Sequence, residues 1–82
     1  MTLRDKVWNE VIEVLTKEGK FKISELNFDE SQRHTVRRVL KNMERQGFLR
    51  RETEHAKIWR AGPRAKELLD LSERARVLAD ED

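Results

Sequence analysis

The sequence contains no cysteine, which excludes a disulfide framework and a thiolate zinc site. Its two histidines, His34 and His55, lie far apart with no carboxylate cluster between them, so no metal site is expected. Its three glycines are isolated, and no glycine-rich loop is present to cradle a phosphate. No nucleophile and base stand in a recognisable pairing, so the sequence reads as a non-enzyme without a cofactor. No apolar run approaches the length of a membrane span, and the N-terminus lacks the apolar segment of a signal peptide. The expectation is a soluble, cytoplasmic protein without membrane contact.

What is present is charge. The chain has 82 residues, enough for one small domain, and 41% of them are charged against 37% apolar. The core must therefore be thin, and a core of that size is often helped by oligomerisation. The net charge of +2 conceals a segregation. From Ser31 to Arg64 there are ten lysines and arginines against three acids, a surplus of seven; the rest of the chain has eight against thirteen, a deficit of five. A contiguous basic block points to a polyanionic partner.

Thr2 and Asp5 form a capping-box pattern ahead of Leu3, Val7, Val11 and Leu15, which recur at helical spacing with Trp8 and Ile12 beside them. Gly19 supplies a left-handed cap, so a first helix is predicted over about residues 3–18. In "KFKIS", Phe21 and Ile23 alternate with lysines as in a short half-buried strand. Ser24 is a suitable N-cap for a brief second helix through "ELNF" with Leu26 facing in. Asp29 and Gln32 form a second capping-box pattern that opens a third helix, about residues 30–46, with Val36, Val39, Leu40 and Met43 inward and Gly47 as its stop. "FLRRET" and "KIWRA", joined by a tight "EHA" turn, predict a hairpin over about residues 48–61. Gly62-Pro63 starts a last helix over about residues 63–79, proline being tolerated at its first position, and the "DED" tail is expected to fray.

The third helix carries the chemistry. With Val36 taken as the inward direction and about 100° per residue, His34, Arg38, Lys41 and Arg45 fall on the opposite face, flanked by Arg37 and Asn42. Arginine and lysine pair with guanine edges or phosphates and asparagine pairs with adenine, so this is a residue mix suited to reading a groove. Which of these side chains would meet base and which phosphate is not fixed by the sequence. A merely solvated face would mix signs, as the first helix does with Arg4, Lys6 and Lys17 among Asp5, Glu10, Glu13 and Glu18. Between Ser31 and Gly47 the only acid is Glu44. The hairpin adds Arg50, Arg51, His55, Lys57 and Arg60, of which alternate residues share a face. His55 reads equally as a contact near the turn or as an ordinary solvated residue. Trp59 and Phe48 could stack on unpaired bases, but a core with so few large apolar groups has first claim on them, and on Trp8.

Three stretches in order, "ISEL", "TVRRVLKNMERQGFLRR" and "IWRAGPRAKELL", resemble a winged helix-turn-helix domain of the broad MarR/ArsR/PadR-like transcriptional regulator type. The resemblance runs from residue 23 to residue 69. It implies a mainly α fold with a small β-hairpin (α+β), in the order helix-strand-helix-helix-strand-strand-helix. It implies a sequence-specific regulator of transcription that binds double-stranded DNA, with the third helix in the major groove and the basic hairpin as a wing. By position, Arg33, His34, Thr35, Arg37, Arg38 and Lys41 fall where such proteins contact DNA, with His55 and Lys57 at the wing tip. Gln32, Asn42, Arg45 and Arg51 complete the set of candidate contacts. The pattern departs from the family in a slightly short segment between Ser24 and Thr35 and in "AGP", where a threonine usually precedes the proline. No additional domain for a small-molecule effector is indicated.

The domain proper is expected over residues 1–62 and a C-terminal helix over 63–82. Leu68, Leu71, Ala75 and Leu78 recur at heptad-like spacing on that helix and suggest a homodimer seam, or else a stripe folded back onto the first helix of the same chain. A two-fold dimer would ask for a roughly palindromic site. The competing reading of the whole chain is a winged helix that binds protein and not DNA, because fold does not fix function.

Overall fold

Thr2 begins the first helix as the capping pattern requires: its hydroxyl accepts the Asp5 N–H at 3.2 Å, and its own N–H donates to the Asp5 carboxylate at 3.5 Å. This is seen in a computed structural model that describes residues 2–80. Helix α1 (Leu3–Glu18) buries Val7, Val11 and Leu15 completely and ends at Gly19, whose φ of 76° is left-handed. The chain then forms strand β1 (Lys20–Lys22), helix α2 (Arg33–Arg45), strands β2 (Leu49–Arg50) and β3 (Ile58–Ala61), and helices α3 (Pro63–Leu68) and α4 (Glu73–Asp80). The protein is thus mainly helical with a small three-stranded antiparallel sheet, an α+β arrangement. The sheet has the order β1-β3-β2, so the early strand joins the hairpin by pairing Phe21 with Trp59. Among the described residues no helix is long and apolar enough to cross a membrane.

The core lies between α1, α2 and the sheet. Val36, Leu40 and Met43 of α2 are fully buried, with Phe21 and Leu49 beside them. Trp59 is 3% exposed, so its ring belongs to the core, while the half-buried Trp8 meets Phe48 edge to face at 5.4 Å between ring centres. At the end of α2 the Gly47 N–H donates to Glu44 O at 3.1 Å and the Phe48 N–H to Met43 O at 3.0 Å. With φ of 86° at Gly47 this is a Schellman closure.

Four expected elements come out differently. The brief helix through "ELNF" is a single 3-10 turn at Ile23–Glu25, held by Lys22 N–H donating to the Glu25 carboxylate at 3.2 Å. So few residues cannot repay the nucleation of an α-helix, and 3-10 geometry serves in short pieces. A second 3-10 turn, Glu30–Gln32, leads directly into α2 in place of the first helical turn expected there. The hairpin strands are shorter than expected because Arg51 leaves the ladder, so the connection runs over residues 51–57 and is not a tight turn. The expected continuous last helix is two: α3 stops at Leu69 and α4 restarts at Glu73.

The reason for that break is Ser72. Its N–H donates to Thr16 O at 2.9 Å and its hydroxyl to Lys17 O at 3.1 Å, two carbonyls of the last turn of α1. The same hydroxyl accepts the Ala75 N–H at 3.0 Å and so caps α4. Helix α4 folds back along α1, where Arg74 pairs with Glu18 at 3.0 Å. Its far end is held by arginines of the sheet: Arg60 donates to Leu78 O at 2.7 Å and Arg50 to Ala79 O. Cations at a helix C-terminus satisfy open carbonyls and complement the dipole. Asp80, expected to fray, is the last helical residue and receives a hydrogen bond from Lys66; Glu81 and Asp82 lie outside the described residues.

Candidate nucleic-acid interface

The strong segregation of α2 places its basic residues outward. Val36, Val39, Leu40 and Met43 face the core, while Arg33, His34, Thr35, Arg37, Arg38, Lys41 and Arg45 are exposed and Asn42 is half-buried. Within this face Arg38 Nη2 lies 3.5 Å from His34 Nε2, one turn away. Among the described residues none of Arg33, Arg37, Arg38, Lys41 and Arg45 forms an ion pair with a carboxylate. Elsewhere Lys17 of α1 pairs with Glu13 and Arg74 of α4 with Glu18, each at 3.0 Å, whereas Arg4 and Lys6 of α1 form no such pair among the described residues.

Two shallow depressions border the basic face. One, of about 530 Å³, is walled by Arg33, Arg37 and Lys41 of α2, by Lys22 at the end of β1, and by His55 and Lys57 of the 51–57 loop. Glu54 is the acid on its rim, and the Trp59 ring forms part of its floor. The other, of about 470 Å³, is lined by Arg37, Arg38, Lys41, Arg45, His34 and Asn42 together with Arg4 from the first turn of α1. Arg37 and Lys41, one turn apart, border both.

The structure therefore brings together most of the residues expected to act jointly, with three exceptions. Arg51 also lines the first depression, but its guanidinium is taken up by partners within the chain. Its Nε and Nη2 donate to the two oxygens of Glu44, each at 2.9 Å, and its Nη1 donates to Glu54 O at 2.7 Å. Its guanidinium lies 4.0 Å from the centre of the Trp59 ring, and its side chain is 8% exposed. The hydrogen bonds it donates to Glu44 hold the guanidinium above even its usual high pKa. Gln32 is occupied at the N-terminal turn, where its side-chain oxygen accepts the Asp29 N–H at 3.0 Å. Thr35 is exposed but borders neither depression.

Arg50 and Arg60, read from the sequence as part of a basic hairpin, are likewise committed to the carbonyls of α4. The four residues expected on one seam are dispersed: Leu71 and Ala75 are buried within the chain, Leu78 is half-buried, and Leu68 is 60% exposed. Leu71 and Ala75 lie in the same core cluster as the apolar face of α1, so neither is open to a second copy. Two basic residues were missed, Arg4 and Lys22. The alternation in "KFK" puts Lys22 opposite buried Phe21, but nothing local says that β1 ends beside α2, and nothing in α1 says that Arg4 does so from the other side.

Comparisons with protein families, with curated proteins and with solved structures find no match to this chain. Among the described residues no group of three histidine or carboxylate side chains could hold a metal ion.

Proposed function

We propose that the protein binds double-stranded DNA and regulates transcription in the manner of a winged helix-turn-helix domain, with α2 as the recognition helix in the major groove and the β2–β3 hairpin with its 51–57 loop as the wing. The observation that carries this reading is the outward face of α2: five cations on one 13-residue helix, none of them paired with a carboxylate among the described residues. Charges held together without internal partners repel one another, and a polyanion relieves that repulsion while releasing its own counterions. A helix with side chains is about 10–12 Å across and the major groove about 12 Å wide, so an exposed helix is a fitting shape for duplex DNA. Lys57 and His55 at the loop stand beside the helix, where a neighbouring stretch of backbone would pass. The aromatic rings give no comparable support for unpaired bases, because Trp59 is buried beneath Arg51.

The test is the double variant Arg38→Ala with Lys41→Ala. Both side chains are exposed and lie opposite Val36, so the helical signal and the melting temperature are expected to stay close to wild type while affinity for a labelled duplex falls at least tenfold. Unchanged affinity in a folded variant would remove Arg38 and Lys41 of α2 from the interface and require the duplex to be held by another surface.

A further inference from the structure

The two depressions beside α2 are not equivalent in origin. The one on the hairpin side is completed by Lys22 from β1, and the one on the other side by Arg4 from α1. Both residues are exposed, and among the described residues neither forms an ion pair with a carboxylate. Among the described residues only Arg37 and Lys41 border both hollows, so the crest of α2 runs between them and Arg4 and Lys22 stand on opposite flanks. A helix with its side chains separates its flanks by about 10–12 Å. The sugar-phosphate chains that bound a major groove are separated by about the same distance, 12 Å.

We propose that Arg4 and Lys22 are phosphate contacts, one on each strand, and that together they clamp the groove into which α2 is inserted. This rests on the duplex-binding reading and deepens it by dividing the labour. Residues opposite Val36, namely His34, Arg38, Lys41 and Arg45, point to the groove floor, while Arg4 and Lys22 contact the two backbones and carry no sequence information. The clamp also makes use of the fold. Arg4 is fixed by the capped start of α1, and Lys22 by a strand whose neighbour Phe21 is fully enclosed, so both cations stand on ordered elements and not on the loop.

The experiment titrates a labelled random-sequence duplex with the full chain at several salt concentrations, reading fluorescence anisotropy. Wild type is compared with Arg4→Gln, Lys22→Gln, the double variant, and Lys17→Gln as a control. Lys17 loses the same charge but sits at the other end of α1 paired with Glu13. Each phosphate contact contributes about 0.9 to the slope of log affinity against log salt. Arg4→Gln and Lys22→Gln are each expected to flatten the slope by about 0.9, the pair by about 1.8, and the control by nothing. A steep wild-type slope that neither variant alters overturns the clamp while leaving duplex binding intact. An equal change in the control overturns it too, because the effect would then be one of net charge. No binding by wild type at low salt overturns the duplex reading and the clamp with it.

Discussion

Gly19 does two things at once, and replacing it with alanine separates them. It has a left-handed φ of 76°, and a Cβ built on it would lie 2.0 Å from the carbonyl oxygen of Ala75 and 2.8 Å from its carbon. Gly47 supplies the comparison: its φ of 86° is also left-handed, but a Cβ there meets only the Arg64 Cβ at 3.4 Å. Gly47→Ala should therefore carry the conformational penalty alone, about 1–2 kcal/mol. In Gly19→Ala the same penalty is joined by a collision with backbone, which no side-chain rotation relieves. Ordinary carbon contacts need about 3.5–4.0 Å, so α4 must move outward by more than an ångström. That displacement breaks the Ser72 bonds to Thr16 O and Lys17 O, each a contribution of about 1 kcal/mol. The expected loss for Gly19→Ala is then about 3–4 kcal/mol, against about 1–2 for Gly47→Ala. Urea denaturation followed by far-ultraviolet circular dichroism measures both, and amide exchange in residues 73–80 should quicken in Gly19→Ala only. Equal losses in the two variants would show that α4 does not lie against Gly19, and the fold-back would be wrong.

Two further outcomes follow from the ion pairs. Glu44→Ala leaves the guanidinium of Arg51, whose side chain is 8% exposed, with Glu54 O and the Trp59 ring as its partners among the described residues. Because Glu44 itself is 30% exposed, the loss should fall below the roughly 3–5 kcal/mol of a fully buried pair, at about 2 kcal/mol. In a domain of this size that lowers the melting temperature by about 8–16 °C, and Glu44→Ala combined with Arg51→Leu should recover part of it. The Asp80 carboxyl is held below its usual range, chiefly by the hydrogen bond from Lys66. A lowered folded pKa means that its contribution is present above the unfolded value of about 3.9 and is lost as pH falls through the folded one. Carbon-detected NMR titration should show Asp80 moving back up toward the ordinary range in Lys66→Ala.

Local signals carried the first half of the fold well. The capping pair Thr2 and Asp5, the stripe Val7, Val11 and Leu15, and the left-handed stops at Gly19 and Gly47 are all short-range features, and each appears where its chemistry requires. The inward set of α2 was equally legible, because its four apolar residues sit among charges. The last helix misled because leucines at heptad-like spacing outweighed a punctuation mark: Ser72 followed by Glu73 is an N-cap pattern in its own right. The basic block misled in a different way. Arg50, Arg51 and Arg60 contribute to its charge, yet their guanidinium groups are taken up by Glu44 and by the carbonyls of Glu54, Leu78 and Ala79. No count of charges could separate them from Arg37 or Lys41, because their partners are up to 29 residues away. The contribution of Arg4 and Lys22 to the candidate interface is tertiary for the same reason.

The most direct measurement is the salt dependence of binding to a random duplex by the wild-type chain. One copy presenting Arg33, Arg37, Arg38, Lys41, Arg45 and Lys57 offers six exposed cations, with Arg4 and Lys22 in addition. Engagement of roughly half to all of them should give a log–log slope between about −4 and −7. A slope in that range would support α2 as a duplex-binding helix and justify selecting a preferred sequence from a random pool. A slope near zero, or no anisotropy change at low salt, would contradict duplex binding.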